Sequence, residues 1–132
     1  MIEAAKKACL HERITQSPRG YKTLLGMDGF DLSDGEKQRL GIARIFIRNP
    51  RYVVLDEATA HLDPKTEQDV RRSLKEFCKG RGTLLFAHQL GAISDAEMIY
   101  VLEGREVAEC GTHDELMEIK GIYAKMWNLQ NP

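Results

Sequence analysis

The chain has 132 residues, of which 42% are hydrophobic and 30% charged, and its 19 basic and 20 acidic side chains leave a formal net charge of −1. That size and balance describe one globular domain or part of one, and the even scatter of lysine and arginine excludes a basic stripe for nucleic acid. Apolar runs such as Tyr52 to Leu55 and Leu84 to Ala87 fall far below the roughly 20 residues that span a bilayer, the amino terminus lacks an apolar stretch of secretory length, and Cys9, Cys78 and Cys110 have no metal-ligand spacing and suit reduced thiols.

The first predicted helix covers Glu3 to Arg13, and a turn-rich loop with Pro18, Gly20, Gly26 and Gly29 follows from Ser17 to Asp31. Ser33 and Glu36, three positions apart, form a capping box, so a second helix is expected to open at Ser33 and run to about Arg48, where Asn49-Pro50 ends it. Leu40, Ile42, Ala43, Ile45, Phe46 and Ile47 make it apolar almost all round, which predicts burial on more than one side. Gly35 in the first turn leaves bare backbone N–H groups at the positive end of the helix dipole, a common way to hold phosphate, although the same pattern serves an ordinary capped helix.

Tyr52-Val53-Val54-Leu55 is β-branched and does not alternate, as expected of a strand buried on both faces of a parallel sheet. Asp56 and Glu57 leave its carboxyl end, where such sheets present ligands. One carboxylate there can hold the water shell of Mg²⁺ and the next can orient a water against a phosphoryl group; a solvated acidic strand end is the plainer alternative. Asp63 caps and Pro64 begins a helix to about Lys79, which Gly80 and Gly82 stop. Thr83 to Ala87 reads as another buried strand, and His88 behind it shares a sheet edge with Asp56 and Glu57 if the two strands are parallel neighbours. Met98 to Leu102 and Glu106 to Cys110 read as a hairpin around Glu103-Gly104-Arg105. Thr112 to Lys120 and Ile122 to Leu129 are closing helices, the first opening on a second capping box, Thr112 with Glu115, in which His113 fills the first turn. His11 has no evident partner. Strands alternating with helices make the fold class α/β.

Leu32-Ser33-Asp34-Gly35-Glu36-Lys37-Gln38, Tyr52 to Glu57, Ala60 to Asp63 and Phe86-Ala87-His88-Gln89-Leu90 together resemble, in order and spacing, the second half of the ATPase domain of ABC transporters, with its signature, Walker B strand, D-loop and switch histidine. Gly20 to Thr23 with Gly26, Gly111 to Leu116 and Gly121 to Trp127 resemble the exporter branch, in which permease helices and ATPase share one polypeptide. The resemblance implies an incomplete P-loop NTPase-like α/β domain. Residues 1–48 would be the remainder of the helical subdomain with the signature helix, and residues 49–132 the C-terminal part of the ATPase core. It implies ATP and Mg²⁺ as cofactors, Glu57 and His88 as catalytic residues, Asp56 on the metal, and Ser33, Asp34, Gly35, Glu36 and Asp63 at the nucleotide. It further implies a second ATPase subunit whose site the signature completes, permease helices as partners, no nucleic acid, and a cytoplasmic position at the inner face of a membrane.

No Gly-x-x-x-x-Gly-Lys-Ser/Thr loop occurs in the 132 residues, and the family's aromatic and glutamine loops are missing too. The chain therefore reads as an amino-terminally truncated ATPase domain, expected not to turn over ATP alone and, with half its sheet lacking, to self-associate through uncovered strands. The signature departs from the family's Leu-Ser-Gly-Gly-Gln at Asp34 and Glu36. A carboxylate about 5 Å from a γ-phosphate is repelled by roughly 3 kcal/mol per unit charge at an effective dielectric near 20, so Asp34 is expected to weaken ATP sandwiching unless it turns outward or Lys37 and Arg39 offset it. Ala60-His61 stands where the family has serine and alanine. Two alternatives remain open: a chromosome-maintenance or repair ATPase fragment, suggested by Gly35-Glu36-Lys37 but lacking a heptad pattern over Met1 to Asp31, and a non-catalytic module that pairs with an amino-terminal half.

Overall fold

The computed structural model describes residues 1–26, 30–59 and 62–132, which divide into two compact units, Met1–Leu84 and Leu85–Pro132. In the first unit, two short helices, α1 (Ile2–Lys7) and α2 (His11–Thr15), stand where one helix was predicted. The break falls at Cys9, whose φ of 52° is left-handed, and it allows Ala8 and Leu10 both to be fully buried. An unbroken helix would set residues two apart on nearly opposite faces. The loop that follows holds one 3₁₀ turn, Gly20–Lys22.

Helix α3 (Asp34–Arg48) opens on the predicted capping box and ends at Asn49, which takes a left-handed conformation. Its burial is narrower than predicted: only Ile42 and Ala43 are buried, and Ile47 is exposed. Lys37, Gly41, Arg44 and Arg48, recurring every third or fourth residue, form an exposed stripe along it. Strand β1 (Tyr52–Asp56), helix α4 (Pro64–Cys78) and strand β2 (Gly82–Phe86) follow, with β1 and β2 paired in parallel and α4 as their crossover. Asp63 caps α4 and Pro64 occupies its first turn, as the sequence predicts.

Val53 and Leu55 of β1 pack into the unit's core with Ala8, Ile42, Ala43, Val70 and Leu74. Tyr52 and Val54, on the opposite face, are 71% and 63% exposed, and β2 is exposed along its length. The expectation of strands covered on both faces is thus corrected for both. The core residues of α3 and α4 meet β1 on one face, and no described residue covers the other.

The second unit comprises a 3₁₀ turn at Leu90–Ala92, strands β3 (Ile99–Glu103) and β4 (Glu106–Gly111), and helices α5 (His113–Ile119) and α6 (Ile122–Gln130). The strands form the predicted antiparallel hairpin, with Ile99 opposite Gly111 and an irregularity between Val101 and Leu102. Ile99 and Val101 join Leu90, Leu116 and Tyr123 in a second core, while Tyr100 and Leu102 face outward. The Glu109 carboxylate accepts the N–H groups of Ile122 (2.6 Å) and Tyr123 (3.0 Å) at the start of α6, which holds it below the usual carboxylate range. A Cβ at Gly121 would collide with that carboxylate. Among the described residues, no helix is long and apolar enough to cross a membrane.

Candidate nucleotide site

At the start of α3 the Ser33 hydroxyl accepts the Glu36 N–H at 3.3 Å, and the Glu36 carboxylate accepts the Ser33 N–H at 2.8 Å. The box therefore consumes the N–H groups of Ser33 and Glu36. Those of Asp34 and Gly35, with the Ser33 O–H as a further donor, remain at the positive end of a 15-residue helix to meet an anion.

Glu36 is engaged on both oxygens. Its second oxygen lies 2.7 Å from Arg13 Nε of α2, and the Arg13 guanidinium also stacks over Phe30 at 4.5 Å. Burial pushes the Glu36 carboxyl up, but the hydrogen bonds from Ser33 and Arg13 and the arginine charge outweigh it, so the group sits below its ordinary range. Its negative charge is thus turned back into the protein and neutralised. Asp34 behaves differently: its side chain is 94% exposed and its near cation, Lys37, is 3.9 Å away. Of the two acids that depart from the usual signature, one is fixed in a partly buried network and the other projects into solvent.

Asp56 closes β1 and Glu57 follows it, both exposed. Glu57 carries a φ of 44°, a left-handed backbone in a residue with a Cβ, a conformation that costs about 1–2 kcal/mol. Its carbonyl oxygen accepts Gln38 Nε2 of α3 at 2.8 Å, so the helix bearing the signature is joined directly to the end of the Walker B strand. The oxygen of that amide, Gln38 Oε1, is buried without a partner among the described residues, as is Arg39 Nε. Asp63 accepts the Thr66 N–H at 3.1 Å as the cap of α4, and the Thr66 hydroxyl and N–H hold its carboxyl below the usual range. Ala60 and His61, part of the D-loop reading, lie outside the described residues.

The structure thus brings Ser33, Asp34, Gly35, Glu36, Asp56, Glu57 and Asp63 into one unit, with a direct bond between α3 and Glu57. His88 belongs to the other unit, two residues beyond the end of β2, where its carbonyl accepts Gln130 Nε2 at 2.8 Å. Two contributors had no distinguishing signal in the sequence. Gln38 lies inside the signature stretch but has no local pattern that marks a partner 19 residues away, and Arg13 reaches Glu36 across 23 residues. His11 finds Tyr21, whose hydroxyl is 2.9 Å from its Nδ1.

A cation would find little here by itself, since no cluster of three ligating side chains exists among the described residues. A lone exposed carboxylate at a strand end does suit Mg²⁺ that arrives on phosphates, because that ion keeps most of its waters and takes only one or two protein carboxylates.

A family model for the ABC transporter matches residues 4–60. The cyclolysin secretion/processing ATP-binding protein CyaB of Bordetella pertussis is 46% identical over 98% of this chain, which covers 18% of that protein. The leptomycin B resistance protein pmd1 of Schizosaccharomyces pombe is 48% identical over 96% of this chain and 9% of its own length. The structure of a bacterial Atm1-family ABC exporter with ATP bound matches with a TM-score of 0.85 and 42% identity, over 98% of this chain and 23% of that one. The chain therefore spans less than a quarter of each of these proteins. By its motifs, by sequence likeness along nearly its whole length and by its fold, it belongs to the ATPase domains of ABC transporters, with exporter-type relatives.

Proposed function

We propose that the chain supplies the signature, Walker B and switch-histidine parts of a MgATP-hydrolysing site in an exporter-type ABC transporter. The observation that carries this reading is the pairing of an anion-ready helix start at Ser33–Gly35 with Asp56 and Glu57 in one unit, the helix bonded to the strand end through Gln38. In this reading Asp56 would hold Mg²⁺, and Glu57 orients and deprotonates the water that attacks the γ-phosphate. His88 contacts that phosphate or the water. Asp34 and Gly35 N–H and the Ser33 hydroxyl meet the γ-phosphate bound by a second ATPase subunit, with Asp63 at the junction between subunits. Bound Mg²⁺ would neutralise charge developing on the phosphates; the remaining work is positional.

The clamp on the β- and γ-phosphates comes from a phosphate loop outside the 132 residues, either in the same polypeptide or in a separate amino-terminal half. Permease helices are the second partner, which puts this domain at the cytoplasmic face of a membrane. The cargo is chosen by those helices.

Equilibrium binding of MgATP at millimolar nucleotide tests the proposal, first on the chain alone and then on the chain joined behind a phosphate-loop half of an ABC ATPase. No saturable binding alone, with turnover on completion that Glu57→Gln abolishes, is the expected result. Saturable binding and turnover by the chain alone would show that it holds phosphates by another loop. No turnover after completion would favour the non-catalytic pairing module instead.

A further inference from the structure

The carboxylate of Glu36 serves helix α3 and opposes its ligand at the same time. At the third helical position it caps the Ser33 N–H and suits the positive end of the dipole. The same negative charge, one residue from the Gly35 N–H, repels an anion that comes to that end. A neutral glutamine in its place would cap without the repulsion.

Among the described residues, two sets of ion pairs surround the α3 start. Lys37 lies 3.7 Å from Asp31 and 3.9 Å from Asp34, and these side chains are 53%, 69% and 94% exposed, so water and salt screen both pairs. Arg13 and Glu36 are closer, at 2.7 Å, and their side chains are only 36% and 15% exposed. The Arg13 guanidinium is also held over the Phe30 ring at 4.5 Å, which fixes the cation beside the carboxylate. The charge of Glu36 is therefore the one least screened by solvent, and its counter-charge comes from α2, outside the signature.

We propose that Arg13 is a positioning residue for the candidate nucleotide site: by pairing with Glu36 it cancels the charge that would otherwise repel phosphate from the α3 start, and so permits a glutamate at that position of the signature. The effect on ligand rests on the function proposed above. Arg13 need not be the only hold on Glu36. The Ser33 N–H orients the carboxylate but brings a dipole, whereas Arg13 brings a full opposite charge. The role is thus electrostatic and conditional on the glutamate. Once Glu36 is replaced by glutamine there is no charge left to cancel, and Arg13 becomes dispensable to the ligand. A merely structural tie between α2 and α3 behaves otherwise, because Arg13 Nε can still donate to a glutamine oxygen and its loss would cost the same in either background.

The test is a double-mutant cycle on ATP-dependent dimerisation of the completed domain. Arg13→Gln, which keeps a donor and loses the charge, should weaken dimerisation at least about fivefold beside Glu36 and less than about twofold in the Glu36→Gln background. Arg13→Lys, which keeps the charge, should recover most of the loss, and the loss should shrink as salt is raised. Equal losses in the two backgrounds, no loss in either, or an Arg13→Lys no better than Arg13→Gln would overturn the proposal. In the full 132-residue chain, the Glu36 carboxyl ¹³C shift is followed through acid, in solution or by magic-angle spinning on sedimented chain. Its midpoint should rise in Arg13→Gln and stay low in Arg13→Lys, with the Ser33 and Glu36 backbone shifts unmoved. An unmoved midpoint would overturn the charge pairing whatever the completed domain does. A parent domain that fails to dimerise with ATP would count against the proposed function and, with it, the effect on ligand, while the midpoint would still decide the pairing.

Discussion

Helices α3 and α5 open on the same capping box, Ser33 with Glu36 in one and Thr112 with Glu115 in the other, yet their first turns are furnished in opposite ways. After Ser33 come an outward Asp34 and a bare Gly35, so the backbone N–H groups are left accessible. After Thr112 comes His113, whose Nδ1 lies 2.9 Å from the hydroxyl of the buried Tyr123 and whose ring meets Trp127 edge-on at 4.4 Å. The α5 start is thus filled from within by an aromatic cluster. The glutamates diverge as well: Glu36 adds an arginine across 23 residues, whereas Glu115 spends its carboxylate on the N–H and hydroxyl of Thr112. A capping box orders a helix start, and what stands at the next two positions decides whether that start can take a ligand.

If α5 is purely architectural, breaking its aromatic filling should cost most. Tyr123→Ala is expected to destabilise the second unit by about 3–5 kcal/mol, the usual range for emptying a buried aromatic site, and Tyr123→Phe by about 1 kcal/mol through loss of the partner to His113. Denaturant unfolding followed by the fluorescence of Trp127, the chain's single tryptophan, reads both. Equal midpoints for the two variants would mean that the hydroxyl, and not the ring, holds α5.

Removing the caps should separate the two helices by function and not by stability. Ser33→Ala and Thr112→Ala are each expected to cost about 1 kcal/mol. Only Ser33→Ala should weaken ATP-dependent dimerisation of the completed domain, because only its hydroxyl is proposed to meet a phosphate. A matching loss in Thr112→Ala would erase the distinction between the helix starts.

Acid should act on both, with a sign set by the lowered carboxyls. Glu36, Glu115 and Glu109 all lie below their ordinary value of 4.5 in the folded chain. A carboxyl that is more acidic when folded contributes stability that is complete above its unfolded value and disappears as pH falls through the folded one. Urea midpoints should therefore be flat above about pH 5 and drop below about pH 4.5. Glu36→Gln, which can still cap but gives up the charge facing Arg13, should make the drop shallower. A steeper one would show that Glu36 is not held ionised.

Local rules made much of this legible in advance. Both capping boxes, the Asp63-Pro64 helix start and the hairpin at Gly104 are contacts among residues at most a few positions apart, and sequence reports such contacts well. The break at Cys9 was not visible, because it satisfies the burial of Ala8 and Leu10 and no turn residue marks it. The strand expectation failed for another reason. Tyr52, Val54, Leu84 and Phe86 are as apolar as a fully covered strand requires, but nothing described covers them, so pattern alone overstated their burial. In the candidate site, Asp56, Glu57 and Ser33 are singled out by type and spacing, whereas Gln38 and Arg13 make their contacts across 19 and 23 residues and have no local mark.

The smallest effect is expected at Asp34, where the structure changes the weight of an electrostatic argument. At an effective dielectric near 20, a carboxylate 5 Å from a phosphate costs roughly 3 kcal/mol per unit charge. The Asp34 side chain, however, is 94% exposed, with Lys37 3.9 Å away. Water as the medium reduces the same pair to about 1 kcal/mol, and salt at physiological strength screens it further over a distance of about 8 Å. Asp34→Gly in the completed domain should therefore tighten ATP-dependent dimerisation by no more than about fivefold, and the gain should shrink as salt is raised. A larger gain that ignores salt would mean that Asp34 turns inward when the subunits close. The α3 start would then carry a built-in brake on the sandwich, which α5, with no ligand to exclude, has no reason to possess.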